Sequence, residues 1–124
     1  MMLIKTYLDK SRIHGIGVFA DEFIRKGTKI WRFVEGFDHA YSPKKFAKLP
    51  KQARDHIRHY GYRADGEILF SADHDRHMNH SDDANTYLKD GYVIARCNIA
   101  RGEEITNDYR EFDGGFCAAF LNGK

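Results

Sequence analysis

The sequence predicts a mainly β domain, a β-rich α+β fold, on three observations. Short runs rich in β-branched and aromatic residues recur along its 124 residues. A single segment carries a helical period. An Asp-Gly pair lies between two of the runs, the strongest short-range signal for a hairpin. With 42% hydrophobic and 14% aromatic residues the chain can build a compact core, so residues 1–124 are expected to form one domain.

The elements follow in order from residue type. MLIKTYL (2–8), GVFA (17–20) and TKIWRFV (28–34) read as strands. The segment SPKKFAKLPKQARDHIRHYGY then places Phe46, Leu49, Ala53, Ile57 and Tyr60 at spacings of three and four, an apolar stripe that predicts a short helical insert around residues 43–60. Ser42-Pro43 has the form of an N-cap followed by proline at the first helical position, and Pro50 restarts the helix as a second piece. Lys44, Lys45, Lys48, Lys51, Arg54 and Arg58 fall mostly off the stripe and read as a solvated face. EILFSA (67–72) is a further strand. TYLKDGYVIARC (86–97) is the hairpin, turning at Asp90-Gly91, and GEEITNDY (102–109) reads as a strand end.

Charge and cysteine content narrow the function. Residues 1–62 hold 13 Lys+Arg against 6 Asp+Glu, and residues 63–124 hold 7 against 12. Such a split is either solvated charge on two faces or an acidic half that attracts a basic peptide. The basic half lacks a dense Arg/Lys block, so direct nucleic-acid binding is not expected. Cys97 and Cys117 supply neither a zinc quartet nor a disulfide framework and suit a reducing cytosol. No apolar run approaches the roughly 20 residues that span a bilayer, and MMLIKTYLDK is unlike a secretory signal. A soluble, intracellular, cytoplasmic protein is expected.

The densest chemistry lies in DRHMNHSDDAN (75–85); widened by one residue, it has His74, His77 and His80 recurring every three residues. On a helix, positions i and i+6 lie about 120° apart, and the Asn, Ser and consecutive Asp residues that follow favour turns. A metal site built from the three histidines, with Asp73 or Asp75, and a hydrogen-bonded polar loop both remain open. HGIGVFA (14–20) adds two glycines where the chain enters a strand and where backbone can approach a ligand closely.

Together, GIGVFADEFIRKGTKI, RHMNHSDDAN and ARCNIARGEEITNDY resemble, in this order, the SET-domain family of protein lysine methyltransferases, over about residues 10–110. The resemblance implies a fold of several short sheets with a knot-like C-terminal threading. It implies S-adenosylmethionine as cofactor, with Gly15, Ile16 and Gly17 passing their backbone beside it, Asn79 and His80 holding its two ends, and Arg76 contributing. It assigns Tyr109 as the catalytic tyrosine and Phe33 and Asn107 to the substrate pocket, and it calls for no metal. Asn79, Ser81 and Asn85 would hold the threaded crossing together.

Asp82 and Ala84 depart from the family's usual Cys and Pro. Phe33 stands where many members carry tyrosine, and Asn107 stands where they carry an aromatic residue. A cysteine-rich zinc module is replaced by residues 111–124, whose Phe112, Phe116, Phe120 and Leu121 either fold over the site as a lid hinged at Gly114-Gly115, with Phe116 against the cofactor, or dock the tail on the core. The expected reaction is methyl transfer to a lysine of a basic protein, histone-like or ribosomal in character, laid as an extended peptide beside a strand edge. A homodimer could complete the substrate groove. A non-catalytic module that keeps the fold, and a small metalloprotein, are the rival readings.

Overall fold

The computed structural model describes residues 1–64 and 66–112. Among the described residues ten short strands form three sheets. The first has the order β1 (Thr6–Lys10), β2 (Ile16–Ala20), β10 (Glu104–Asn107), β7 (Asn79–His80). The second joins β3 (Lys29–Arg32), β9 (Tyr92–Ala95) and β8 (Thr86–Lys89), and the third joins β4 (His39–Tyr41), β6 (Glu67–Phe70) and β5 (Tyr62–Ala64). Helices α1 (Pro43–Ala47) and α2 (Lys51–Tyr60) lie between β4 and β5 in the chain, and 3-10 turns cover His74–His77 and Tyr109–Glu111. The expected β-rich fold of several short sheets is what the chain adopts. Among the described residues no helix is long and apolar enough to cross a membrane.

Local chemistry explains most elements. Asp90 and Gly91 both take positive φ, 53° and 80°, and Lys89 pairs with Tyr92 across them, so the hairpin closes through the two-residue turn that the Asp-Gly pair favours. Ser42 Oγ accepts the Lys45 N–H at 3.2 Å and Pro43 opens α1, while α2 starts after Pro50. Phe46 and Ile57 of the predicted stripe are buried with Ile68, forming a small core under the third sheet. The main core gathers Val18, Ala20, Ile24, Ile30, Ile99 and Ile105 between the other two sheets.

The first predicted strand divides. Met2 bridges to Trp31 and the Leu3 N–H donates to Ile30 O at 2.7 Å, so the chain start follows β3, whereas only Thr6–Lys10 pairs with β2. One hydrophobic run thereby serves two sheets.

Strand β10 is gripped from both edges. On one edge it runs antiparallel to β2 and then parallel to β7, in register Thr106↔Asn79 and Asn107↔His80, and the Ser81 N–H donates to Asn107 O at 2.9 Å. Successive peptide groups of a strand face opposite edges. The other edge is taken by Asn85, whose amide nitrogen donates to Glu104 O at 2.8 Å and whose Oδ1 accepts the Thr106 N–H at 3.0 Å, and by Thr86 Oγ1, which donates to Thr106 O at 2.7 Å. The Asn85 side chain thus pairs as a strand residue would. Residues 79–86 pass around β10, which is the knot-like threading. Replacing Asn85 by Ala leaves the Glu104 carbonyl and Thr106 N–H without these partners. Asn85→Ala is expected to lower stability by about 2 kcal/mol in urea unfolding; a loss below about 0.5 kcal/mol would contradict the bracket.

Candidate functional site

The threading brings three distant segments to one place: the His14–Ile16 turn, the Arg76–His80 segment and the end of β10. A cavity of about 280 Å³ lies there, lined by Gly15, Ile16, Arg76, Asn79, Asn107 and Tyr109 among the residues singled out from the sequence.

Asn79 is 4% exposed and ties the turn in place. Its amide nitrogen donates to His14 O at 3.0 Å and to Glu104 Oε2 at 2.9 Å, with Ile16 O further off at 3.4 Å. Glu104 also accepts the Ser11 hydroxyl through both oxygens, at 2.8 and 2.9 Å. Gly17 packs against this carboxylate, and a Cβ at position 17 would overlap it. The contact with Glu104 alone leaves no room for a side chain at the second glycine of the motif, and Gly17 is not among the lining residues. Gly15, at φ +47°, is.

Tyr109 is held at three points. Its hydroxyl donates to Met78 O at 2.5 Å, its N–H donates to His80 Nδ1 at 3.0 Å, and the His80 ring lies 5.3 Å from its own ring. Since that backbone N–H only donates, His80 Nδ1 is the acceptor nitrogen and Nε2 carries the proton toward Asp82 Oδ1, 2.7 Å away. Asp108 caps the following turn, and the Arg110 guanidinium that chelates it holds its carboxyl below the usual range. His80, expected to hold a ligand largely through its main chain, is not among the cavity-lining residues, and its ring contacts Tyr109 and Asp82.

The three-histidine pattern does not converge. His74 Nδ1 pairs with Thr6 Oγ1 at 2.8 Å, the His77 ring packs on Tyr60 at 5.2 Å, and His80 turns to Asp82. Among the described residues no three His, Cys, Asp or Glu side chains are placed to hold one metal ion. Burial, followed by the positive charge of Arg76, holds the His77 imidazole below its usual range.

Phe33 packs partly buried against the main core, and Trp31 is the β3 aromatic that reaches the cavity. The Trp31 ring stands edge-on to Tyr62 at 6.0 Å, and Tyr62 meets Phe112 at 5.1 Å, so three strand and turn ends supply one aromatic wall. Among the described residues the buried Trp31 Nε1 has no acceptor. Phe116, Phe120, Leu121 and the Gly114-Gly115 hinge lie outside the described residues.

Two charged residues complete the wall. Arg76 lies over the Phe70 ring at 5.5 Å, and Asp75 Oδ2 accepts the Ser71 hydroxyl at 2.6 Å. Among the described residues neither makes an ion pair. Burial pushes the Asp75 carboxyl up to about 6; the carboxylates of Asp73 and Asp38 add to the rise, and the Ser71 bond and the Met1 ammonium oppose it. Trp31, Glu104 and Tyr62 were not singled out in the sequence, since each acquires its place through contacts more than twenty residues away in the chain.

Known proteins echo this arrangement. The SET domain family model matches residues 15–110. A Plasmodium falciparum protein named "Putative histone-lysine N-methyltransferase 1" is 28% identical over 120 residues, covering 86% of this chain and 2% of that protein. The crystal structure of a Plasmodium falciparum putative histone methyltransferase superposes with a TM-score of 0.63 at 25% identity, over 87% of this chain and 95% of that one. A humanized mutant of the Chaetomium thermophilum Polycomb Repressive Complex 2, bound to an inhibitor, superposes at 0.67 with 21% identity, over 93% of this chain and 16% of that one, a likeness of fold. The chain thus spans a small part of the curated relative it matches.

The contact between Gly17 and Glu104 makes a checkable demand. Gly17→Ala must displace the carboxylate that Ser11 and Asn79 share, so its thermal midpoint should fall by several degrees, with a cost of about 1–3 kcal/mol. Gly36, which has open space around its Cβ position, offers a contrasting site in calorimetry, where Gly36→Ala meets backbone strain alone. An unshifted midpoint for Gly17→Ala would remove Glu104 from its assigned place.

Proposed function

Since the chain belongs to the SET-domain family, we propose that it transfers the methyl group of S-adenosylmethionine to a lysine side chain of a protein, a basic protein presented as an extended peptide. The observation that carries this reading is the Tyr109 hydroxyl, fixed on the Met78 carbonyl in a cavity that the Gly15–Ile16 turn and Asn79 also line. When bound, S-adenosylmethionine supplies a methyl group activated by a sulfonium. The residues present fit it: Arg76, a cation without an ion pair among the described residues, suits its carboxylate, and Gly15 and Ile16 line the same cavity.

Tyr109 spends its proton on Met78 O, so its oxygen is left as an acceptor for an amine N–H and for an electron-poor methyl group. Free lysine, with a pKa of about 10.4, is protonated at neutral pH. The wall of Trp31, Tyr62 and Phe112 lowers the local polarity and favours the neutral amine that the transfer needs. Holding that amine in line with the methyl lowers the entropic part of the barrier. Strand β5 is an edge in the order β4-β6-β5, and its Tyr62 reaches the cavity, so it offers backbone pairing to an extended substrate.

The test is transfer of labelled methyl to a panel of basic proteins, read by mass spectrometry. Tyr109→Phe keeps the ring and its packing, so the rate should fall by about 10²-fold while cofactor affinity is unchanged; near wild-type turnover would remove Tyr109 from the mechanism. Asn107, buried and accepting the Thr86 hydroxyl at 3.2 Å, puts an amide where an aromatic ring would narrow the pocket. Exhaustively reacted lysine should therefore carry more than one methyl group, and strictly monomethylated product would contradict this.

A further inference from the structure

Asp75 and Arg76 are neighbours in the chain, carry opposite charges, line the same cavity, and are paired neither with each other nor with any other charge among the described residues. The Arg76 guanidinium rests on the Phe70 ring, and Asp75 takes a neutral hydroxyl from Ser71. A half-buried carboxylate that has given up part of its hydration for one neutral hydroxyl, with no cation in direct contact, costs a fold stability. Two such unmatched charges side by side in one wall are complementary to a ligand that carries both counter-charges on groups attached to one carbon. An α-amino acid does so. A lysine side chain does not, since it has an ammonium and nothing for Arg76.

We propose that Asp75 receives the α-ammonium of bound S-adenosylmethionine, so that Asp75 and Arg76 together read its amino-acid end as a zwitterion; this rests on the proposed cofactor. Asp75 is then a binding residue that distinguishes the intact cofactor from a version lacking the amine.

Proton linkage sharpens the case. The Asp75 carboxyl, raised to about 6, is surrounded by Ser71, the Met1 ammonium and the carboxylates of Asp38 and Asp73. Its own turn adds Arg76 and His77, and His14, His59, Tyr60 and Tyr109 line the cavity from other elements. A raised carboxyl pKa means that ionised Asp75 costs stability in the ligand-free protein at pH above 6, and that this cost disappears as pH falls through 6 toward the unfolded value of 3.8. Ammonium binding needs the ionised form. Cofactor affinity should therefore weaken as pH drops through about 6.

The experiment is isothermal titration at pH 8 of S-adenosylmethionine and of its desamino analogue, with hydrogen in place of the amine, against the wild-type chain and Asp75→Asn. The asparagine keeps the Ser71 hydrogen bond. Expected are a loss of about tenfold or more for S-adenosylmethionine, an unchanged affinity for the analogue, and a ligand-free thermal midpoint equal to or above wild type. Equal S-adenosylmethionine affinity in both proteins would overturn the Asp75 assignment alone. An equal loss for both ligands, or a lowered ligand-free midpoint, would make Asp75 structural and overturn it as well. A wild-type chain that binds neither ligand would overturn the cofactor reading and this assignment with it.

Discussion

The Asn79 amide nitrogen is the contact on which the rest of the site depends. One NH₂ group reaches the carbonyl of His14 and the carboxylate of Glu104, residues 65 and 25 positions away. This buried group ties the His14–Ile16 turn to β7, and a buried donor without such partners would cost about 1–3 kcal/mol. The remaining features of the turn follow. Ser11 closes over the same carboxylate, and position 17 has no room for a side chain beside it.

The threading of β10 turns that anchor into a positioned hydroxyl. With β2 and β7 on one edge and Asn85 and Thr86 on the other, β10 cannot slide without breaking bonds on both sides. Tyr109 follows it by two residues and is pinned to Met78 and His80, which flank Asn79. Glycine turn, anchor and tyrosine are thus parts of one hydrogen-bonded unit. The order is economical in chain length: Met78 and His80 hold Tyr109, and Asn79 between them holds the His14 turn and Glu104.

Charge behaves differently in the chain and in the fold. The sequence divides into a basic and an acidic half, yet the cavity wall draws on both, with His14 and Trp31 from the first and Asp75, Arg76 and Tyr109 from the second. A basic substrate would meet the mixed surface that folding creates and not the sum over either half. The unmatched Asp75 and Arg76 appear only at this level, because being unpaired is a property of three-dimensional neighbours.

What the sequence determined by itself was whatever short-range chemistry controls. The Asp90-Gly91 turn, the Ser42-Pro43 cap, the apolar stripe of Phe46 and Ile57, and the order of the glycine turn, the Asn-His-Ser triplet and Tyr109 could all be read along the chain. Asn85 as a clasp on β10 was legible through the family resemblance. The tertiary structure alone decided which side chains face the cavity. It set Trp31 there in place of Phe33, turned His80 away to hold Tyr109, scattered His74, His77 and His80 to three partners, and brought Glu104 under Gly17. The reason is physical: turns, caps and strand alternation depend on torsion angles a few residues apart, whereas the direction of a side chain within a threaded sheet depends on partners that only the closed fold supplies.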